Sequence, residues 1–261
     1  MNRRAVLFGL VLLASRSFAG AELVSRPVEY KDGDTVLEGF LAYDTAGAKS
    51  KPGVLVVHEW TGLGDYVKKR SEQLAKLGYV AFAADIYGKG VRPSDPKEAG
   101  KTAGIYKGDR ALMRSRVNAG LSALKRQEGV DAARTAAIGY CFGGTAVLEL
   151  ARSGAEVQGV VSFHGGLASP SLEDAKKIKA KVLALHGAED PYVPAKEVQA
   201  FEEEMRAGKV DWQLVKYSGA VHAFTNPQAG SDPGKGAAYH ASADRRSWQA
   251  MAAFFEEIFH P

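Results

Sequence analysis

Residues 139–144 of this 261-residue chain read GYCFGG, and they contain its only cysteine, Cys141. The mostly apolar run Arg134–Tyr140 before it predicts a strand, and Thr145–Arg152 after it predicts a helix. Gly139 and Gly143, two residues to either side of the cysteine, allow the chain to turn sharply between these two elements. The pattern Gly-x-Cys-x-Gly therefore predicts a nucleophile held on a strand-to-helix turn.

The predicted place of Cys141 also favours its chemistry. At the N-terminus of a helix, the partial positive charge lowers the pKa of a thiol and favours the thiolate. The backbone N–H of Phe142 would point at the oxyanion that forms when a carbonyl is attacked. The alternative is that Cys141 is a small buried hydrophobe, as many lone cysteines are. Because such a turn exposes its central residue, the sequence favours the catalytic interpretation.

Strands and helices alternate on both sides of this turn. The connections are short, which predicts one α/β domain with a doubly wound, mostly parallel sheet and helices on both faces. Functional sites in such sheets lie in loops at the carboxyl ends of the strands. Two segments rich in glycine, proline and charge, Gly88–Gly108 and Thr225–Tyr239, are expected to be irregular loops over this domain. The predicted strands are a hairpin over 28–43 and residues 53–58, 79–86, 134–140, 157–163, 181–185 and 210–217, and the predicted helices are residues 65–77, 111–124, 145–152, 194–207 and 244–259.

The first 21 residues have the three parts of a secretory signal peptide. Arg3 and Arg4 precede the apolar run Ala5–Ala14, and small residues follow around Ala19. The run has 10 residues, whereas a helix that spans a bilayer needs roughly 20. We therefore expect cleavage, no membrane anchor afterwards, and a mature domain over residues 22–261 that is periplasmic or secreted. The two adjacent arginines also resemble a twin-arginine signal, so the export route stays undecided.

The composition excludes several classes of protein. The chain has 34 basic and 30 acidic residues, a net charge of +4, and three of the basic residues lie in the predicted leader. No basic run is interleaved with aromatic residues, so nucleic acid is not an expected partner. One cysteine excludes an intrachain disulfide and a cysteine-rich metal site. We expect neither a metal nor an organic cofactor.

A cysteine nucleophile needs a base and a group that orients the base. Asp190 and His222 follow two neighbouring predicted strands, which places both in loops at the same edge of the sheet. The order nucleophile, acid, histidine is that of the α/β-hydrolases. Glu189 is the rival acid, and Asp190 is preferred because it precedes Pro191 in the turn HGAEDP.

The other five histidines have simpler explanations. His58, His164 and His186 each end a predicted strand, where an imidazole commonly caps backbone groups. His240 and His260 lie near helix ends and are expected to be in solvent. His222 is therefore the predicted base.

These motifs resemble those of the dienelactone hydrolase family, a branch of the α/β-hydrolases. The resemblance extends from about Val28 to Phe259, and a cysteine in the turn is its specific part, since most α/β-hydrolases have serine there. It implies the α/β-hydrolase fold and the cleavage of a small ester or lactone through a Cys141 thioester, with His222 as base and Asp190 as its orienting acid. It rests on HEWTG at 58–62, DIY at 85–87, GYCFGG at 139–144, HGAED at 186–190 and HAF at 222–224.

The resemblance also implies roles around the nucleophile. Glu59 matches a glutamate that accepts the hydrogen bond of the resting thiol and takes its proton when substrate arrives. The N–H of Trp60 would be the second oxyanion donor, opposite Phe142. Lys89 and Asn226 stand where members that open dienelactones hold the substrate carboxylate with two arginines, so they are the expected substrate contacts. Lysine lacks the planar fork of arginine and asparagine lacks the charge as well, which argues against dienelactone itself as the substrate.

The expected function is the hydrolysis of a small-molecule ester or lactone, and two alternative functions remain. The first is a general carboxylesterase or thioesterase with the same machinery and a different leaving group. The second is a noncatalytic binding module or a thiol redox sensor on the same scaffold. A degenerate scaffold would be expected to have lost one of the three triad residues, and this chain retains all of them. The sequence indicates neither the natural substrate nor the oligomeric state.

Overall fold

The central sheet determines where the loops of the site meet. The computed structural model describes residues 22–260, so the predicted leader lies outside the described residues. Eight strands form one sheet, and they are β1 (Leu23–Asp32), β2 (Thr35–Asp44), β3 (Lys51–Val57), β4 (Val80–Ala84), β5 (Val130–Tyr140), β6 (Gly159–Phe163), β7 (Lys181–Gly187) and β8 (Trp212–Tyr217). Their order in the sheet is β1-β2-β4-β3-β5-β6-β7-β8. The β1–β2 and β2–β4 pairs are antiparallel and all others are parallel.

Helices cover both faces of this sheet. Alternate residues of β3 point to opposite faces, so Val54 and Val56 belong to one buried cluster and Leu55 and Val57 to the other. The helices are α1 (Asp65–Lys76), α2 (Pro96–Gly108), α3 (Arg110–Lys125), α4 (Phe142–Arg152), α5 (Ala195–Ala207) and α6 (Ala241–Phe259). The cluster of Val54 and Val56 includes residues of α1 and α6, and the cluster of Leu55 and Val57 includes residues of α2, α3, α4 and α5. The predicted doubly wound α/β domain is confirmed. Over residues 22–260, every helix is too short or too polar to cross a membrane.

The prediction that Gly88–Gly108 is irregular was wrong, because α2 occupies its second half. The Asp95 side chain caps this helix by accepting hydrogen bonds from the N–H groups of its second and third residues, and Pro96 occupies its first position. Three glycines of low helix propensity weaken the pattern in the sequence. Burial of Tyr106 and two alanines against the core compensates for that weakness. The other segment, Thr225–Tyr239, is irregular as predicted apart from two short 3-10 turns.

Candidate active site

Cys141 lies on a sharp turn between β5 and α4. Its φ is 54° and its ψ is −113°, a conformation that non-glycine residues rarely adopt. Glycine is required on both sides, because a Cβ on Gly139 would lie 2.0 Å from the carbonyl oxygen of Gly143 and a Cβ on Gly143 would lie 2.2 Å from that of Val57. The strained turn places the partly exposed thiol at the N-terminus of α4.

His222 connects the thiol to a carboxylate. Its Nε2 lies 3.0 Å from Cys141 Sγ, and its Nδ1 lies 2.8 Å from Asp190 Oδ2. An ionised carboxylate only accepts hydrogen bonds, so Nδ1 carries a proton and donates it to Asp190. The second oxygen of Asp190 accepts from the N–H of Tyr192 at 2.9 Å, which fixes the carboxylate. Glu189 is exposed and its side chain makes no hydrogen bond to His222.

The surroundings of His222 keep its imidazole protonated. Burial by itself lowers the pKa of His222, but the adjacent Cys141 sulfur and the Asp190 carboxylate outweigh it and raise that pKa to about 10. At neutral pH the ring is therefore a cation beside the sulfur. A neighbouring cation is the arrangement that stabilises a thiolate.

Glu59 follows β3 and is held by Asn226. Its Oε2 accepts a hydrogen bond from Asn226 Nδ2 at 2.7 Å. Burial raises the pKa of Glu59, and the Asn226 bond and the charges of His222 and Arg70 oppose that rise. The hydrogen bond expected from the resting thiol to Glu59 is not formed, because Cys141 Sγ points to His222 instead.

Two side chains fix the loop that carries Glu59 and Trp60. His58 accepts the N–H of Ile86 on Nε2 at 3.2 Å, so its Nδ1 donates to the carbonyl of Glu59 at 2.6 Å. Burial lowers the pKa of His58 to about 4, which keeps this ring neutral. Tyr87 donates its hydroxyl to the carbonyl of Trp60 at 3.0 Å. Within the part of the chain that the structure describes, the N–H of Trp60 has no hydrogen-bond acceptor and remains available to an oxyanion.

A cavity of about 720 Å³ opens over the thiol. Its lining is mostly apolar and includes Cys141, His222 and Glu59. Trp60 and Tyr192 are exposed aromatic side chains on its wall. The sequence analysis missed the wall that α2 contributes, which consists of Gly100, Ala103, Gly104 and Lys107. Across residues 22–260, no three His, Cys, Asp or Glu side chains are grouped so that they could hold a metal ion.

The two expected substrate contacts lie in different places. The Nζ of Lys89 lies 2.6 Å from Glu29 and 3.8 Å from Glu38, and this lysine does not line the cavity. Its N–H donates to the carbonyl of Val36 on β2, which directs the residue toward that edge of the sheet. The expectation that Lys89 contacts substrate is therefore corrected. Asn226 does line the cavity, but its amide nitrogen is bound to Glu59.

Comparisons with known proteins address the family and the fold of this chain. The model of the dienelactone hydrolase family matches residues 37–259. A solved structure named m3DLH is 43% identical, with a TM-score of 0.87, and the match covers 90% of this chain and 98% of that one. The dienelactone hydrolase-like promiscuous phosphotriesterase P91 from metagenomic libraries is 44% identical over 92% of this chain and 99% of its own, with a TM-score of 0.87. A protein of Synechocystis sp., provisionally named a carboxymethylenebutenolidase, is 29% identical over 84% of this chain and 91% of its own. The chain belongs to the dienelactone hydrolase family.

Proposed function

We propose that this protein hydrolyses small esters or lactones through a thioester on Cys141. The proposal rests on one observation, the continuous contact from Cys141 Sγ to His222 at 3.0 Å and from His222 to Asp190 at 2.8 Å. Cys141 lies on a strained turn, and Cys141 and His222 both line the cavity. A nucleophile, a base in contact with it and a carboxylate that orients the base are what covalent catalysis requires.

In the first half of the reaction, the thiolate of Cys141 attacks the carbonyl carbon of the ester. A C–S bond forms, and the carbonyl oxygen becomes an oxyanion that the N–H groups of Phe142 and Trp60 can bind. When the C–O bond breaks, the leaving alkoxide takes the proton from His222 Nε2. The products of this half are a thioester on Cys141, an alcohol and a neutral imidazole.

In the second half, water cleaves the thioester. His222 Nε2 removes a proton from the water as its oxygen attacks the thioester carbon. The C–S bond then breaks, which releases the carboxylic acid and returns the thiolate beside a protonated His222. Asp190 stays ionised throughout and stabilises the imidazolium each time it forms.

Glu59 supplies a second proton acceptor in the cavity that Cys141 and His222 line. Its carboxylate lines the cavity and accepts a hydrogen bond from Asn226 Nδ2. Because burial raises its pKa, Glu59 is a stronger base than an exposed glutamate. We assign it the role of taking the proton of any Cys141 that is a neutral thiol when substrate enters.

The cavity favours small, largely uncharged substrates. Its walls are mostly apolar, and among the described residues that line it Lys107 is the only lysine or arginine. Lys89 lies outside, and the amide of Asn226 is already bound. Neutral esters and lactones of modest size are therefore the proposed substrate class. A thioester would use the same steps with a thiol as leaving group.

Turnover of p-nitrophenyl acetate by the mature protein and its Cys141 variants tests the proposal. We expect a burst of one p-nitrophenol per active site and a mass increase of one acetyl group on the peptide that contains Cys141. Cys141→Ala should lose activity by roughly 10³-fold or more, and Cys141→Ser should be severely impaired because an alcohol is far harder to deprotonate than a thiol. A Cys141→Ala protein that hydrolyses the ester at the parent rate would refute the mechanism.

A substrate panel distinguishes the alternatives. Alkyl esters, lactones and acyl thioesters of matched size separate an ester or lactone hydrolase from a thioesterase. A dialkyl p-nitrophenyl phosphate tests whether the activity in the description of P91 extends to this chain. Inactivity toward the whole panel, together with reversible oxidation of Cys141, would support the redox alternative.

A further inference from the structure

A chain of hydrogen bonds runs from the nucleophile into the protein interior. Cys141 shares its backbone N–H between the carbonyl of Phe163 at 3.0 Å and His164 Nδ1 at 3.2 Å, and His164 Nε2 lies 2.7 Å from Thr225 Oγ1. Thr225 Oγ1 lies 2.6 Å from the hydroxyl of Tyr66, which accepts from Arg70 Nε at 3.2 Å. His164 and Thr225 are fully buried. Of the residues joined by these hydrogen bonds, the proposed mechanism assigns a role to Cys141 alone.

The position of the protons along this chain follows from its first member. A backbone N–H can only donate, so His164 Nδ1 is the acceptor, and in a neutral ring Nε2 then carries the proton. Burial, with His222 and Arg70 adding to it, holds the pKa of His164 well below its ordinary value, so the ring is neutral. His164 therefore donates to the hydroxyl of Thr225.

Arg70 is the last residue in this series of hydrogen bonds, and it also contacts Thr225 directly. It donates to the carbonyl of Thr225 at 2.8 Å and pairs with Asp244 at 2.5 Å. Its guanidinium lies 5.3 Å from the ring centres of both Tyr66 and Trp248. Thr225 is thus fixed through its hydroxyl by His164 and through its carbonyl by Arg70.

Thr225 lies in the loop that carries His222, the proposed base. His222 precedes it by three residues, and Asn226, which holds Glu59, follows it directly. Ala223, between them, has a φ of 56°, a strained conformation that persists only where tertiary contacts impose it. The hydrogen bonds from His164 through Thr225 to Arg70 therefore connect the turn that carries Cys141 to the loop that carries His222.

We propose that His164, Thr225 and Arg70 are positioning residues that hold Cys141 and His222 at the separation required for attack. The inference rests on the proposed function of Cys141, and it concerns geometry, because none of the three touches the sulfur. An error of about 1 Å in the placement of reacting groups can cost roughly 10²-fold in rate. Loss of the link should therefore lower kcat and leave KM nearly unchanged.

The hydroxyl of Thr225 is the most specific place to test the link. Thr225→Val removes the hydroxyl and keeps the branched shape, whereas Thr225→Ser keeps the hydroxyl and removes the methyl group. With p-nitrophenyl acetate, we expect kcat of the valine variant to fall by roughly 10- to 100-fold with KM within about 3-fold of the parent. The serine variant should retain kcat within about 3-fold, because the hydrogen bonds to His164 and Tyr66 can still form.

Two results would overturn the inference. One is a folded valine variant with the parent kcat, and the other is a serine variant that loses as much kcat as the valine variant. If the valine variant does not fold, Thr225→Ala replaces it, because it also removes the hydroxyl that accepts from His164 and places no methyl group against that ring. A parent kcat in the alanine variant would then count against the proposal.

Alkylation of Cys141 by iodoacetamide provides a measurement that does not depend on hydrolysis. The rate at fixed pH reports how well His222 stabilises the thiolate, so it should fall in Thr225→Val and be retained in Thr225→Ser. Should Cys141→Ala retain hydrolysis, the proposed function fails, and the alkylation contrast still decides whether the link positions the thiol. Equal alkylation rates in the two folded variants would refute it.

Discussion

Replacing Asp190 by Asn removes the negative charge next to His222 and keeps the size of the side chain. The two groups are in contact at 2.8 Å, and both are largely buried. With charge centres about 4 Å apart and an effective dielectric constant of about 20, their attraction is about 4 kcal/mol. At 1.36 kcal/mol for each pKa unit, loss of this attraction lowers the pKa of His222 from about 10 to roughly 7.

The consequence is a change in the pH dependence of catalysis. An alkyl ester is the suitable substrate, because its leaving alkoxide needs the proton of His222. The parent should keep kcat/KM up to about pH 10, where the imidazolium is lost. The Asp190→Asn variant should lose kcat/KM above roughly pH 7, and at pH 9 protonation alone predicts a deficit of roughly 10²-fold. The deficit should narrow as the pH falls below the pKa of the variant.

Glu189→Gln is the matched control, since Glu189 is the adjacent acid but is exposed and makes no bond to His222. It should reproduce the pH profile of the parent. An Asp190→Asn protein with the alkaline limit of the parent would show that Asp190 does not set the charge of His222. A Glu189→Gln protein with the profile expected for Asp190→Asn would show that the acid was assigned to the wrong residue.

Four further predictions concern other parts of the molecule. Glu59→Gln should lower kcat for p-nitrophenyl acetate by roughly 10²-fold with little change in KM, and an unchanged kcat would remove Glu59 from the reaction. Gly104→Leu should raise KM for bulky esters much more than for acetates, because no atom lies within 4 Å of a Cβ added at Gly104 and the leucine side chain would occupy part of the cavity. Lys89→Ala is the control outside the cavity, and it should leave KM for both kinds of ester unchanged. Arg152→Met should reduce the free energy of unfolding in urea by about 3–5 kcal/mol, since it removes the cation paired with buried Glu204 and leaves buried Glu149 with Arg114 alone, and a smaller loss would mean that water reaches the Glu204 carboxylate. We also propose export with cleavage of the leader, so mass spectrometry of protein from the native cell should find an N-terminus near Gly20 or Glu22, and a soluble chain that starts at Met1 would contradict it.

The missed helix shows where a local pattern was not sufficient. The sequence carried a start signal for α2, because Asp95 precedes Pro96 and a glutamate stands three residues after Asp95. Glycines at three positions spaced by four residues outweighed that signal. They are tolerated because tertiary packing of Tyr106 and neighbouring alanines stabilises the helix. Two of these glycines, Gly100 and Gly104, also line the cavity, which the sequence could not reveal.

Sequence patterns were sufficient to predict the strand-to-helix turn at Cys141, the alternation of the elements and the loops that carry Asp190 and His222. These follow from local rules, since periodicity, glycine spacing and chain order depend only on neighbouring residues. Three contacts could be seen only in the folded protein: Lys89 pairs with Glu29, Asn226 holds Glu59, and Thr225 links His164 to Arg70. Such contacts depend on how loops far apart in the chain meet at the sheet edge and on which partners burial leaves to each polar group, and neither is encoded in the spacing of residues.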